Sequence, residues 1–168
     1  EKIYKIDTEN NYVEIGAGVK LIDLSNELLR KNKQLLSTGN CINNNWSQTM
    51  GGLCATNVHH TGDLLPFSET CISINVLHYN SYKKPVVKKY SRRDQEFSFF
   101  FGTIGTNGII CSIVFEIEDI KYYKKNNVVK KKFEEIDVIN NGTIIFRPFD
   151  LNNIQLVQFY KSDFNKHI

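Results

Sequence analysis

Residues 37–63 read STGNCINNNWSQTMGGLCATNVHHTGD, and the interpretation of the whole chain starts from them. The stretch holds the pair Gly51-Gly52, hydroxyl residues on both sides of that pair, and two adjacent histidines. Its spacing predicts neither a regular helix nor a strand. Glycines have no Cβ, so their backbone can approach a flat or charged group closely, while hydroxyls and free N–H groups bind phosphate oxygens. We therefore expect this stretch to line a slot for a planar or phosphate-bearing ligand.

The alternative interpretation of this stretch is an ordinary surface loop, since Gly, Asn, Ser and Thr are also common loop residues. Connections of this length inside a compact domain are usually either functional or disordered. Disorder is a poor explanation because the stretch contains four apolar residues, Leu53, Cys54, Ala55 and Val58. Their presence favours the binding slot.

Composition and charge limit the class of protein. The chain has 168 residues, of which 41% are hydrophobic, enough for a globular domain with its own core. The net charge is +3 and acidic residues lie among the basic ones, so we expect no nucleic-acid partner. No apolar run approaches the roughly 20 residues of a membrane helix, so we predict no transmembrane segment.

The four cysteines, at positions 41, 54, 71 and 111, form no CxxC pair. Small or apolar neighbours are typical of buried free thiols, which favours a reducing intracellular compartment; otherwise the sequence leaves the location open. A zinc site made of Cys41, Cys54, His59 and His60 is the competing possibility. Adjacent histidines seldom face one metal and the cysteine spacing does not fit compact zinc sites, so we predict no metal site.

The first part of the chain predicts a β-hairpin and a helix. Residues 2–7 and 12–17 alternate apolar and polar side chains around a turn at 9–11, as in two paired strands. Leucines at helical spacing then predict a helix over 20–31. Residues 69–79 alternate again and predict a strand that carries Ile72, Ile74 and Val76 on one face and Ser73 and Asn75 on the other.

Residues 85–90 predict the returning strand of a second hairpin. His78, near the end of the preceding strand, is expected to be a hydrogen-bonded structural histidine. Residues 91–94 predict a capping box that opens a short helix, which carries Phe97, Phe100 and Phe101 into the core. A glycine-rich turn at 102–108 then leads into the clearest strand, 109–118.

The composition changes near Tyr122, so we predict one domain over 1–121 and a second region over 122–168. The basic run at 121–132 is expected to be a solvated hairpin or loop. Three apolar segments follow, at 133–138, 143–146 and 154–160, with a turn at Asn140-Asn141-Gly142 between the first two. Together these patterns predict an α+β fold, a mainly antiparallel sheet with flanking helices.

Taken in chain order, the motifs LSTG (36–39), TMGGLCATNVHHTG (49–62) and FGTIGTNGIICSIVFEI (101–117) resemble a known family. They are similar to the FAD-binding domain of the vanillyl-alcohol oxidase, or PCMH, type. The branch they resemble most is that of the sugar-1,4-lactone oxidases, the gulono-, galactono- and arabinono-lactone oxidases or dehydrogenases. The resemblance covers roughly residues 1–120 and corresponds to the second FAD subdomain.

The resemblance implies FAD as the cofactor, bound through residues 37–62 and 105–110. In the family the first stretch contacts the FAD pyrophosphate and the flavin edge, and the second meets the adenosine end. The implied cofactor-binding residues are Ser37, Thr49, Gly51, Gly52, Thr56, Asn57, Val58, His59, Gly108, Ile109 and Ile110. No catalytic residue is identified. His59 is expected to contact the flavin or to shape the loop.

The sequence departs from the family pattern at three positions of this stretch. Asn57 and Val58 stand where the family has glycine and threonine, and His60 replaces a small residue, which narrows the slot. Asparagine tolerates left-handed backbone geometry, so we expect the bend at Asn57 to survive. The family's upstream pyrophosphate loop and its substrate cap have no match, beyond the start of a cap region within 122–168. We expect those segments to come from the same or another chain.

Two functions from different classes follow. The first is part of an FAD-linked oxidoreductase that acts on a CH–OH group of a sugar lactone or a similar substrate, with this chain alone inactive. The alternative is a catalytically inactive structural or assembly protein that retains the FAD-domain fold. A generic α+β binding domain without flavin is a third possibility. The sequence does not identify the substrate or the electron acceptor.

Overall fold

A computed structural model describes residues 2–36, 47–58 and 65–120 together with their side chains, and the backbone of three strands within 123–161. The chain divides into two compact units. The N-terminal unit comprises Glu1–His59 and Leu65–Ile120, and the C-terminal unit comprises His60–Leu64 and Lys121–Ile168.

The described part of the N-terminal unit is a six-stranded antiparallel sheet with three short α-helices and one 3₁₀ turn. The elements are β1 (Ile3–Asp7), β2 (Tyr12–Gly16), α1 (Leu21–Leu29), β3 (Lys33–Leu35), α2 (Met50–Ala55), α3 (Phe67–Thr70), β4 (Cys71–Tyr79), β5 (Pro85–Ser91), the 3₁₀ turn (Phe97–Phe100) and β6 (Ile109–Asp119). The strand order is β1-β2-β6-β4-β5, and β3 pairs with the far end of β6. The predicted α+β class with a mainly antiparallel sheet is confirmed.

The predicted hairpins and the first helix are confirmed at nearly the expected bounds. Strand β1 pairs with β2 and β4 pairs with β5, both antiparallel. Asn11 closes the first turn with a left-handed φ of +54°, a conformation that asparagine tolerates better than most residues. Helix α1 buries three leucines of its apolar stripe, Leu21, Leu24 and Leu28.

One face of the sheet carries the core. A single row of buried side chains crosses four strands in register: Ile15 of β2, Ile113 of β6, Ile74 of β4 and Tyr90 of β5. Phe115, next along this face of β6, is fully buried and packs edge to face on Phe67, with ring centroids 5.5 Å apart. Alternate residues of β6 face this core, which explains the clear alternation of apolar and polar residues along the strand.

The prediction that residues 37–63 form no helix was wrong for Met50–Ala55, which is α2. The Oγ1 atom of Thr49 accepts a hydrogen bond from the Gly52 N–H at 3.3 Å and caps the helix. Met50, Leu53 and Cys54 lie at i, i+3 and i+4 and are all buried in the core. The cap and this burial outweigh the low helix propensity of the two glycines.

The predicted capping box forms only in part. The Asp94 carboxylate accepts hydrogen bonds from the Ser91 N–H at 2.7 Å and from the Ser91 hydroxyl at 3.0 Å, which lowers the pKa of Asp94. The Ser91 hydroxyl caps no helix; a 3₁₀ turn follows, and its N-terminal cap residue is Glu96. The three phenylalanines of this segment are buried as predicted, Phe97, Phe100 and Phe101.

The alternation predicted for β4 also needs correction. Residues 69 and 70 belong to α3, and the ladder with β6 is irregular between Cys71 and Ser73. Cys71 therefore pairs with Phe115 on the core face in the place expected of Ile72. Ser73 pairs with Val114, on the face opposite Ile74 as predicted, and it is buried there.

The described part of the C-terminal unit is a three-stranded antiparallel sheet in the order β7-β9-β8. Its strands are β7 (Tyr123–Lys131), β8 (Thr143–Phe146) and β9 (Ile154–Lys161). The strand predicted at 143–146 is confirmed, whereas the basic run predicted as a hairpin or loop is largely strand β7. The strand predicted at 133–138 and the turn at 140–142 lie outside the described residues. No helix in the described ranges is long and apolar enough to cross a membrane.

We expect Phe115→Ala to lower the free energy of unfolding by about 3–5 kcal/mol, because it leaves a cavity in the closely packed core. Val114→Ala is the matched control, since Val114 is the next residue of β6, points to the opposite face and is half-buried; it should cost about 1 kcal/mol or less. Urea unfolding followed by circular dichroism measures both values. Equal losses would contradict the assignment of the core face.

Candidate functional site

A groove of about 330 Å³ lies where α2 meets the glycine turn that leads into β6. Residues from three separate parts of the chain line it: Ala17 and Gly18 after β2; Thr49, Gly51, Gly52 and Ala55 of α2 and its cap; and Phe100, Gly105, Gly108, Ile109 and Ile110. The groove therefore brings together six of the eleven residues predicted from the sequence. All of its lining lies within the N-terminal unit.

Backbone hydrogen bonds hold the three parts of the lining together. The Gly51 N–H donates to the Ala17 carbonyl at 2.8 Å, and the Ala17 N–H donates to the Cys111 carbonyl at 2.9 Å. At the other end of α2, the Ile104 N–H donates to the Ala55 carbonyl at 2.9 Å. The helix, the turn after β2 and the glycine turn are thus fixed to one another through main-chain groups.

Two of the predicted glycines are required by the fold itself. A Cβ on Gly51 would lie 2.8 Å from the Ala17 Cβ, closer than real Cβ atoms come. A Cβ on Gly108 would lie 2.6 Å from the Val76 Cγ1, and Gly108 also has a φ of +151°. The close approach expected of Gly51 is therefore an approach to the protein's own backbone.

Gly52 and Gly105 have fewer close neighbours, although Gly105 has a left-handed φ of +78° that favours glycine. The one atom within 4 Å of a Cβ on Gly52 would be the Thr49 Oγ1 at 3.2 Å, and a Cβ on Gly105 would meet its nearest atom at 4.0 Å. These two glycines leave room in the groove that any side chain would occupy.

The wall of the groove formed by β6 and the 3₁₀ turn is apolar. Phe100 is buried and Ile110 half-buried, whereas Ile109 leaves 65% of its surface exposed. No ionisable side chain lines the groove in the described ranges. Such a lining suits the face or edge of a planar ring and provides no group for proton transfer.

The glycine turn carries two features that cost free energy. Ile104 has a left-handed φ of +55°, which is unfavourable for a β-branched residue, and its side chain is 80% exposed. The Thr103 hydroxyl oxygen is buried without a hydrogen-bond partner among the described residues. Strained backbone of this kind costs about 1–3 kcal/mol and is concentrated at functional sites.

The remaining predicted residues do not line the groove. The Thr56 hydroxyl donates to the Gly52 carbonyl at 2.9 Å, and Val58 packs against the core. Asn57 has a φ of +47°, so the expected left-handed bend is confirmed, and its Oδ1 accepts from the Ser68 N–H at 3.3 Å. Ser37 and His59 lie outside the described residues.

Five lining residues were not among the predicted site residues: Ala17, Gly18, Ala55, Phe100 and Gly105. Ala55 and Gly105 nevertheless lie inside the two predicted ranges, 37–62 and 105–110. The small residues Gly16-Ala17-Gly18, which lie between the predicted hairpin and helix, were a signal because they permit close packing. Phe100 was assigned to the core, where most of its surface does lie.

The surroundings of His78 and of three cysteines test the roles that the sequence predicted for them. His78 is hydrogen-bonded through Nε2 to the Tyr90 hydroxyl at 2.9 Å and through Nδ1 to a main-chain carbonyl at 3.2 Å, so its structural role is confirmed. Cys54 and Cys71 are buried free thiols, and burial raises the pKa of each, whereas Cys111 is exposed. Cys41 lies outside the described residues.

None of the known protein-family models matches the chain, and no curated protein matches it. The proposal for its function therefore rests on the groove and on the sequence motifs that line it.

We expect Gly51→Ala to lower the free energy of unfolding by about 1–3 kcal/mol, because its methyl group collides with Ala17. Gly52→Ala makes the same chemical change at the next position, where the new methyl group meets only the Thr49 Oγ1 at 3.2 Å, which must shift by a few tenths of an ångström. The better helix propensity of alanine offsets this contact, so the variant should change the free energy of unfolding by less than about 1 kcal/mol. Thermal unfolding of the two variants side by side measures the difference, and equal effects would contradict the packing described for α2.

Proposed function

We propose that the chain is the FAD-binding part of a flavin-dependent oxidoreductase similar to the sugar-lactone oxidases, with the PCMH-type subdomain fold. In this proposal the groove between α2 and the turn at 105–110 receives part of the FAD molecule. The observation that supports it is the meeting of the two motif segments, distant in sequence, along one groove. The strained turn at Ile104 is consistent with a binding role.

The groove fits a part of FAD and not the whole. Its volume of about 330 Å³ lies at the lower end of the range of roughly 300–1,000 Å³ for small-molecule sites. A planar ring system or a diphosphate is of suitable size, whereas the complete dinucleotide needs further protein surface. That surface would come from the upstream pyrophosphate segment and the cap, in the same or another chain.

Four of the lining residues have distinct roles in this proposal. Ile109 and Ile110 would cover the edge of a planar ring and exclude water from it. Gly52 leaves the space that the ligand enters. The Thr49 Oγ1 already accepts a hydrogen bond from the Gly52 N–H, so its own proton remains available to donate to a phosphate oxygen. Bound FAD would supply two-electron redox chemistry, which the protein positions and tunes.

The absence of ionisable side chains from the lining, within the described part of the chain, favours the second candidate function. A proton acceptor for substrate oxidation would have to come from outside the groove. A protein that keeps the FAD-domain fold as a structural or assembly component needs no such group. The two functions differ in whether the bound flavin can be reduced by a substrate.

We expect the chain to bind FAD weakly. A ring system of roughly 20 non-hydrogen atoms at about −0.3 kcal/mol per atom gives about −6 kcal/mol, which corresponds to a dissociation constant of about 40 μM. Ile109→Glu should weaken binding at least about tenfold, because it places a carboxylate against the ring edge or the phosphates. Val87→Glu is the matched control, since Val87 is also β-branched, 62% exposed and outside the groove.

Quenching of flavin fluorescence measures the affinities for FAD and for riboflavin, which represents the flavin end of FAD. ADP, which represents the other end and has no flavin, is tested as a competitor of FAD. Failure of the wild type to bind either FAD or riboflavin, or equal effects of the two variants, would contradict the proposal. Both functions expect no reduction by this chain alone, so the flavin is tested with the protein joined to its upstream pyrophosphate segment and cap. Loss of the flavin absorbance near ~450 nm on addition of a sugar lactone to that assembly would support the enzyme, and binding without reduction would support the inactive descendant.

A further inference from the structure

A second groove, of about 720 Å³, lies between strand β1 and helix α1. Residues 2–6 of the chain line one side. The helix side is lined by Asp23, Asn26, Glu27, Arg30 and Lys31, which have the i, i+3, i+4, i+7, i+8 spacing of one helix face. The lining lies within the N-terminal unit and shares no residue with the groove beside α2.

Strand β1 is an edge of the six-stranded sheet. Among the strands that the structure describes it pairs with β2 alone, so its other side presents unpaired backbone N–H and C=O groups. Successive residues of a strand point to opposite faces. The pairing of β1 with β2 is irregular between Ile3 and Lys5, so the alternation is interrupted there. Residues on both sides of this irregularity line the groove, which therefore follows the backbone edge of β1 along its length.

The two edges of this sheet differ in how they are protected. At the opposite edge, β5 presents the exposed residues Pro85, Lys88 and Lys89, a composition that discourages pairing with another strand. On β1, the Lys5 amino group is held back against the sheet by the Tyr12 hydroxyl at 2.6 Å and by Asp7 at 2.9 Å.

The groove has an excess of positive charge. Four basic and two acidic side chains line it, and two of the basic ones already have partners: Arg30 pairs with Glu27, and Lys5 pairs with Asp7. Within the described ranges, Lys2, Lys31 and Asp23 have no ion-pair partner, which leaves one net positive charge among the unpaired groups. These two lysines are available to an acidic ligand.

We propose that the groove between β1 and α1 binds an extended acidic peptide segment of a partner protein. The segment adds a strand to the β1 edge through backbone hydrogen bonds, and its acidic side chains lie beside Lys2 and Lys31. Five residues of β1 span about 17 Å, so the bound segment has about five to seven residues. This inference does not depend on FAD binding.

Three labelled heptapeptide probes test this proposal by fluorescence anisotropy with the full chain. The first has the sequence Glu-Val-Thr-Val-Glu-Val-Glu, the second replaces each Glu by Lys, and the third is the first with N-methyl groups on alternate residues. We expect the acidic probe to bind at least about tenfold more tightly than each of the others, because they lack the charge or the backbone donors. Equal binding of all three would overturn the proposal.

Two variants and amide exchange locate the binding. Lys31→Glu should weaken binding of the acidic probe about three- to tenfold, whereas Lys89→Glu, the same charge change on the β5 edge, should leave it unchanged. Amide exchange over residues 3–6 should slow on binding while exchange over 86–90 does not. Protection at β5 would overturn the proposal, and so would concentration-dependent self-association that protects β1 without peptide, which would make a second copy the occupant.

Discussion

The close contact of α2 with the turn after β2 is the constraint on which the groove depends. At Gly51 the two backbones approach so closely that no Cβ fits, and the Gly51 N–H reaches the Ala17 carbonyl at 2.8 Å. The same turn is bonded to β6 through Ala17 and Cys111. A short helix that holds two glycines has little stability of its own. Its position, and with it one wall of the groove, is therefore fixed by this contact and by three buried apolar side chains.

The glycines of the motif segments divide into two physical classes. Gly51 and Gly108 are required because the chain packs against itself there. Gly52 and Gly105 have few atoms near them and lie beside an apolar wall, although the φ of +78° at Gly105 also favours glycine. A sequence pattern cannot separate these classes, because both appear as glycine. The distinction matters for function, since only glycines of the second class leave room for a ligand. The first class preserves the shape of the groove even where no ligand binds.

Much of the sheet could be predicted from the sequence because its signals are local. Alternation along β6 and the leucine stripe of α1 each follow from the period of one element. Helix α2 was missed because the spacing of residues 37–63 as a whole has no helical period, whereas the Thr49 cap and the burial of Met50 stabilise one short helix within that stretch. Six lining residues of the groove could be predicted because they lie in motifs whose order along the chain resembles that of a known family. Ala17 and Phe100 could not, because they join the lining only through contacts between distant parts of the chain.

The most direct test of the central claim is the methyl NMR spectrum of isoleucine-labelled protein during titration with FAD. Binding in the groove beside α2 predicts that the signals of Ile109 and Ile110 shift progressively with FAD concentration. The signals of Ile3 and Ile6, which line the separate groove beside α1, should stay in place. An unchanged spectrum at millimolar FAD, or shifts confined to Ile3 and Ile6, would contradict the assignment of the groove as a flavin site.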